Sequence, residues 1–125
     1  AISDVERKIA TPYYTIRRKD QKKDFGRIWQ LSTERNVCGV VIGMPLNMDG
    51  SDGPRTQSTR AFARQLEMYM PRPLTFWDER LSTVAAERAL LEADTSRRRR
   101  GEVIDHVAAA YILQGALDRL AVLRR

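Results

Sequence analysis

Three carboxylates are placed so that they could hold a hard cation: Asp78 and Glu79, adjacent and followed by Arg80, and Asp105, beside the lone histidine His106. Leu74 to Asp78 reads as a strand, which sets Asp78 and Glu79 at its carboxyl end, where alternation sends them to opposite faces. Asp105 falls in the first turn of a long helix, one position past the apolar Ile104, from where it can look toward the sheet edge. Acidic oxygens gathered from separate elements, with waters in the remaining positions, are what Mg2+ or Mn2+ requires. Plainer readings stand beside this one. Asp105 could complement the helix dipole, worth about 0.3–1 kcal/mol, and Asp78 and Glu79 could pair with Arg80 on the surface. Zinc is disfavoured, since there is no second histidine and no cysteine pair, and His106 reads as a structural residue. The usual nucleotide-loop and zinc-helix fingerprints are missing.

These carboxylates need a scaffold, and the stretch from Val37 to Gly50 organises it. Val37, Val40, Val41 and Ile42 form a short β-branched run that reads as a strand buried on both sides in a largely parallel sheet, ended by Gly43 and Pro45. Met44 to Gly53 is then a loop leaving the carboxyl end of that strand, the edge where open α/β sheets bind ligands, and it offers Asn47, Asp49 and Asp52. Upstream, Ala1 to Ser3 and Ile9 to Ile16 suggest a hairpin turning near Asp4 to Lys8, with Pro12 demoting the second strand to an edge strand or a bulge. A first helix is expected from about Asp20 to Arg35, stopped by Asn36. A second is expected from about Gln57 to Met70, with Phe62, Leu66, Tyr69 and Met70 on a core face and Arg55, Arg60 and Arg64 elsewhere. Pro71 and Pro73 break it before the strand at Leu74, making a right-handed strand-helix-strand crossover. Ser82 or Thr83 can cap a third helix running to about Ala93. A last helix, Glu102 to Leu123, is apolar all round from Val107 to Leu113 and is expected to pack on more than one side. The order is that of an α/β domain with a mixed sheet.

At 125 residues the chain is expected to be one domain, residues 1–125. Lys and Arg outnumber Asp and Glu by 22 to 16, a formal charge of +6 that favours polyanionic partners. No apolar run approaches the roughly 20 residues of a transmembrane helix, so a membrane is not an expected partner. Cys38 heads an apolar strand and reads as a buried, inert thiol, which suits a reducing cytoplasm. Arg97, Arg98, Arg99 and Arg100 could clamp phosphates, and we read them as a mobile loop between helices that orders on nucleic acid.

Three separated motifs, Gly43-Met-Pro-Leu-Asn-Met-Asp-Gly50, Asp78-Glu-Arg-Leu-Ser-Thr83 and Val103-Ile-Asp-His-Val-Ala-Ala109, closely resemble in sequence and order the YqgF/RuvX family. Its members are RNase H-like nucleases, described as pre-16S rRNA nucleases and as Holliday junction resolvase-like proteins. The resemblance covers essentially the whole chain. It implies a three-layer RNase H-like fold whose central mixed sheet, flanked by helices, holds a divalent metal, Mg2+ or Mn2+, for phosphodiester hydrolysis. Carried over by motif, Glu79 and Asp105 are metal ligands, Asp78 is a supporting or alternative one, and Asn47, Asp49 and Arg80 shape the site. Arg55, Arg60, Arg64 and Arg97 to Arg100 would hold flanking phosphates, which fix register without reading sequence. The implied substrate is structured RNA, the 5′ end of pre-16S rRNA, or else branched DNA. A rival is a non-catalytic nucleic-acid-binding module on the same fold, which retention of Glu79 and Asp105 argues against, since a pure binder gains nothing from carboxylates set against phosphate.

The same resemblance implies a first strand, carrying an Asp-x-Gly motif with a principal metal ligand, that lies between the hairpin and the strand at Val40. The chain opens after it. Further residues are therefore expected before Ala1, or a strand from a partner chain such as the second copy of a homodimer; at about 3.3 Å per residue, some six residues would span the gap.

Overall fold

A computed structural model describes residues 1–16, 20–81 and 97–124, with residues 97–106 described by their backbone. In chain order the elements are β1 (Ile2–Ser3), β2 (Ala10–Thr11), α1 (Gln21–Glu34), β3 (Val40–Met44), α2 (Pro54–Tyr69), β4 (Leu74–Asp78), a 3-10 turn (Glu79–Leu81) and α3 (Arg97–Leu123). The expected helix from Ser82 or Thr83 to Ala93 lies outside the described residues. β1 and β2 form an antiparallel two-stranded sheet, and β3 and β4 a parallel one, joined by α2 as expected. Mixed α/β architecture of this kind is consistent with an RNase H-like fold. The chain packs as two compact units, Ile16–Phe76 and Ala1–Thr15 with Trp77–Arg125.

In the unit Ile16–Phe76, local chemistry sets the helix ends. Asp20 caps α1 by accepting the Lys22 N–H at 2.9 Å, and Asn36, at φ 53°, turns the chain out of it. Pro54 opens α2, where its missing N–H costs nothing, and Pro71 and Pro73 prevent its continuation. Phe25 of α1 meets Leu66 of α2 and Met70, the residue that follows the helix, in the core, with Ile28, Trp29, Val40, Ile42, Phe62 and Leu74 packed round them. The Phe25 ring lies 5.2 Å from that of Phe62 and 5.9 Å from that of Tyr69.

The strand expected from Val37 starts at Val40, and its residues are half-buried apart from the buried Met44. Hydrogen bonding explains the late start. The Val37 N–H is given to the Ser32 carbonyl at 2.9 Å and the Val37 carbonyl accepts from Arg72 Nε at 3.0 Å, so Val37 finishes the exit from α1. Pairing toward β4 begins where the Val40 N–H meets the Pro73 carbonyl at 2.8 Å. Cys38, ahead of the strand, is exposed, contrary to the expected buried thiol.

In the other unit, Ile2 pairs with Thr11 and Ser3 with Ala10. Asp4 builds the hairpin turn: its Oδ1 accepts the Lys8 N–H at 2.7 Å and the Ile9 N–H at 3.0 Å. Gln114 of α3 ties the hairpin down, accepting the Ala10 N–H and donating to the Lys8 carbonyl, both at 2.8 Å. The helix buries Ala108, Ile112, Ala116 and Leu117, one stripe at helical spacing. Val107, Ala109, Ala110 and Leu113 are half-buried beside that stripe, and Tyr111, 41 % exposed, leaves one side of the stretch from Val107 to Leu113 to solvent. The arginine run is also not the expected loop. Residues 97–100 are helical and form the start of α3, because arginine is a strong helix former and a single Gly101 is tolerated inside a long helix.

Asp4 gives a pH-dependent test of the hairpin. The Ile9 and Lys8 amides hold its carboxyl below the ordinary value of 3.8. A folded value below the unfolded one means stabilisation that is full above the unfolded value and is lost as the pH falls through the folded one. Asp4→Asn, which keeps the acceptor oxygen but cannot ionise, is expected to be less stable than the parent near neutrality and to converge with it as the pH falls through the folded Asp4 value, as read by urea denaturation.

Candidate active-site residues

The carboxyl end of β4 turns sharply. Asp78 Oδ1 accepts the Arg80 N–H at 2.9 Å, and the Arg80 guanidinium grips the same carboxylate, Nε at 3.1 and 3.0 Å from its two oxygens and one terminal nitrogen at 2.6 Å. This Asx-type turn starts the 3-10 segment at Glu79. Strand alternation therefore stops at Asp78, and the expectation that it sends Asp78 and Glu79 to opposite faces does not apply. The Arg80 side chain, and then its amide, hold the Asp78 carboxyl below the ordinary range, so it is charged near neutrality. Glu79 is half-buried beside it.

The backbone of Asp105 lies in α3; its side chain, like those of Arg97, Arg98, Arg99, Arg100 and His106, is outside the described residues. Among the described residues no group of three or more acidic, histidine or cysteine side chains is gathered to hold a metal. In donor chemistry the carboxylates suit a hard divalent cation. Both oxygens of Asp78 are engaged by the Arg80 guanidinium, which leaves Glu79 as the carboxylate of this turn not gripped by Arg80 in these contacts.

In the unit Ile16–Phe76 the Met44–Gly53 loop is knitted to itself. Asn47 accepts at its carbonyl from the Gly50 N–H and gives its own N–H to the Ser51 carbonyl, while its side-chain amide donates to Ser51 Oγ at 3.0 Å. Asp49 Oδ1 accepts from the Ser51 hydroxyl at 2.6 Å and from its N–H at 2.9 Å. Gly50, at φ 88°, sits where only glycine is unstrained. A Cβ on Gly53 would come within 2.8 Å of Asn47 Oδ1. Arg60 of α2 reaches Asp52 at 2.6 Å, and this partner holds the Asp52 carboxyl below its ordinary value. Arg55 and Arg64 are exposed on α2.

Thr56, not singled out in the sequence, pins this loop. It is fully buried; its hydroxyl accepts the Gly53 N–H at 3.0 Å and donates to the Pro45 carbonyl at 3.2 Å, joining the loop's two ends. Its signal was legible as the threonine at the third position of a helix opened by Gly53-Pro54. Thr56→Val keeps the shape and strands both partners, so a loss of about 1–3 kcal/mol is expected, measured by thermal and urea unfolding.

The chain is mixed α/β, with the Asp78–Arg80 pair at a strand end and a surplus of basic residues. A family model described as RuvX, Holliday junction resolvase, matches residues 1–119, and the chain belongs to this family. It is 64% identical over 125 residues to a protein of Rhodobacter capsulatus named "Putative pre-16S rRNA nuclease", covering all of this chain and 79% of that one. Proteins of the same name from Cereibacter sphaeroides (strain ATCC 17029 / ATH 2.4.9; 64% identical, all of this chain, 78% of that one) and Roseobacter denitrificans (62% identical, 99% and 77%) are similarly related. Among the described residues no helix is long and apolar enough to cross a membrane.

Proposed function

We propose that this chain is a divalent-metal-dependent nuclease that hydrolyses phosphodiester bonds in structured RNA, acting at the 5′ end of pre-16S rRNA during ribosome biogenesis in the cytoplasm. The observation that carries this reading is the turn after β4, where Glu79 emerges beside an Asp78 carboxylate kept charged by Arg80. The names of the relatives favour the RNA substrate. The family match spans both compact units, which supports one nuclease domain.

In this reading Glu79 and Asp105 hold Mg2+ or Mn2+, and Asp78 is the supporting carboxylate. A bound metal supplies an activated water and neutralises charge on the leaving oxygen. Arg80, held by Asp78, shapes the site and would bind substrate phosphate. Asn47 and Asp49 shape the loop, while Arg55, Arg64 and the run Arg97 to Arg100 hold flanking phosphates. Arg60, paired with Asp52, contributes first to the loop's rigidity and only second to the phosphates. The family description favours a second reading, resolution of branched DNA.

One experiment separates the readings: cleavage of a pre-16S rRNA transcript and of a four-way DNA junction, each with Mg2+, with Mn2+ and with chelator. Metal-dependent cutting of the transcript near the mature 5′ end supports the first, and cutting of the junction alone the second. Binding of both without cleavage under any metal would leave a non-catalytic module.

A further inference from the structure

Gly115 stands in the interior of α3, where glycine is unfavourable relative to alanine and where no positive φ calls for it. Space is the reason for it. A Cβ at this position would lie 2.9 Å from Trp77 Cζ2, 3.0 Å from Cε2 and 3.1 Å from Nε1, so the indole edge rests directly on the bare helix backbone. Trp77 Nε1 is buried with no acceptor among the described residues. Among the described residues, the indole edge is therefore placed by its fit against Gly115. Trp77 is the residue before Asp78, two before Glu79, and α3 is also the helix that carries Asp105. On the other side of this joint, Gln114 ties the β1–β2 hairpin to the same turn of α3.

We propose that Gly115 and Trp77 are positioning residues: their contact sets how close the carboxyl end of β4, with Glu79, approaches the helix that carries Asp105. The proposal rests on the assignment of Glu79 and Asp105 as the metal-holding pair. A methyl group at 115 cannot be absorbed at the far end of a flexible chain, because the atoms it meets belong to a rigid ring one residue from the acidic turn. The ring must move, and the turn moves with it.

The test is a double-mutant cycle in the full chain of Gly115→Ala and Trp77→Leu, the leucine lacking all three atoms that the added methyl would meet. Glu79→Gln is the reference. Mn2+ affinity is read by calorimetry, cleavage of the pre-16S transcript by kcat and KM separately, and folding by thermal melts, with all measurements made well below the lowest melting temperature. Supporting groups behind metal ligands typically change affinity or activity by about 10–100-fold. Gly115→Ala is expected to weaken Mn2+ binding within that range and to lower kcat with KM for RNA unchanged. In the Trp77→Leu background the same substitution should have no further effect. Equal losses in both backgrounds would show an ordinary packing defect, and wild-type Mn2+ affinity in Gly115→Ala, with Glu79→Gln impaired, would overturn the proposal. Should Gly115→Ala fail to fold, Trp77→Leu alone decides, since unchanged Mn2+ affinity there is equally fatal. If Glu79→Gln itself binds and cuts normally, the site assignment fails first.

Discussion

Glu79→Gln and Asp105→Asn are each expected to lower metal-dependent cleavage by on the order of 10³-fold, the scale reached when a group that stabilises transition-state charge is removed. Both substitutions keep side-chain volume and remove one negative charge, so folding and nucleic-acid binding should survive. Binding should even tighten slightly as repulsion of phosphate falls. Asp78→Asn belongs to a different class. The asparagine retains one acceptor for the Arg80 amide but loses the two-oxygen grip on the guanidinium, so its main effect is to free Arg80. The loss of activity there should be smaller and should resemble that of Arg80→Gln. Single-turnover cleavage under saturating Mg2+, beside melting curves for the four variants, checks the ranking. Full turnover in both Glu79→Gln and Asp105→Asn, with normal binding, would sink the assignment of the metal pair.

The parts of the fold legible in the sequence are those fixed by short-range chemistry. Asp20, Asn36, Pro71 and Pro73 act on their own neighbours, which is why the ends of α1 and the place of β4 could be read directly, whereas α2 begins at Pro54, ahead of the expected Gln57. The start of β3 could not, because apolar character says nothing of where a ladder begins, and the group that occupies the Val37 carbonyl, Arg72, is far along the chain. The same distance hides the joint of Trp77 with Gly115, which looks like an unremarkable glycine in a helix until β4 is laid against it. At the candidate site, the pairing of Asp78 with Arg80 was one of the open sequence alternatives, since its partners are two residues apart; the competing face argument assumed that the strand ran on through Glu79. The arginine run was misread because a block of like charge suggests a solvated loop, whereas each arginine favours helix and the block adjoins a long helical segment.

Helical backbone at residues 97–100 alters what the arginines can be expected to do. A loop could bring all four to one strand of phosphates. Successive helix positions are instead separated by about 100°, and positions three apart share a face, so positions 97 and 100 lie on one face of the helix and positions 98 and 99 do not share it. Each phosphate contact contributes about 0.7–0.9 to the slope of log affinity against log salt. Replacing Arg97 and Arg100 together by Gln should thus flatten the slope by about 1.4–1.8, and replacing Arg98 and Arg99 by much less, if one face meets the nucleic acid. Glutamine is close to arginine in helix propensity, so α3 should persist. The effect should be the same for unrelated sequences, because phosphates carry no sequence information. Filter binding or fluorescence anisotropy from about 50 to 200 mM salt, the range over which such slopes are large, measures it. An equal loss from both pairs would mean that the helix start unwinds on nucleic acid and presents all four arginines, and an unchanged slope in the quadruple variant would remove the run from the binding surface.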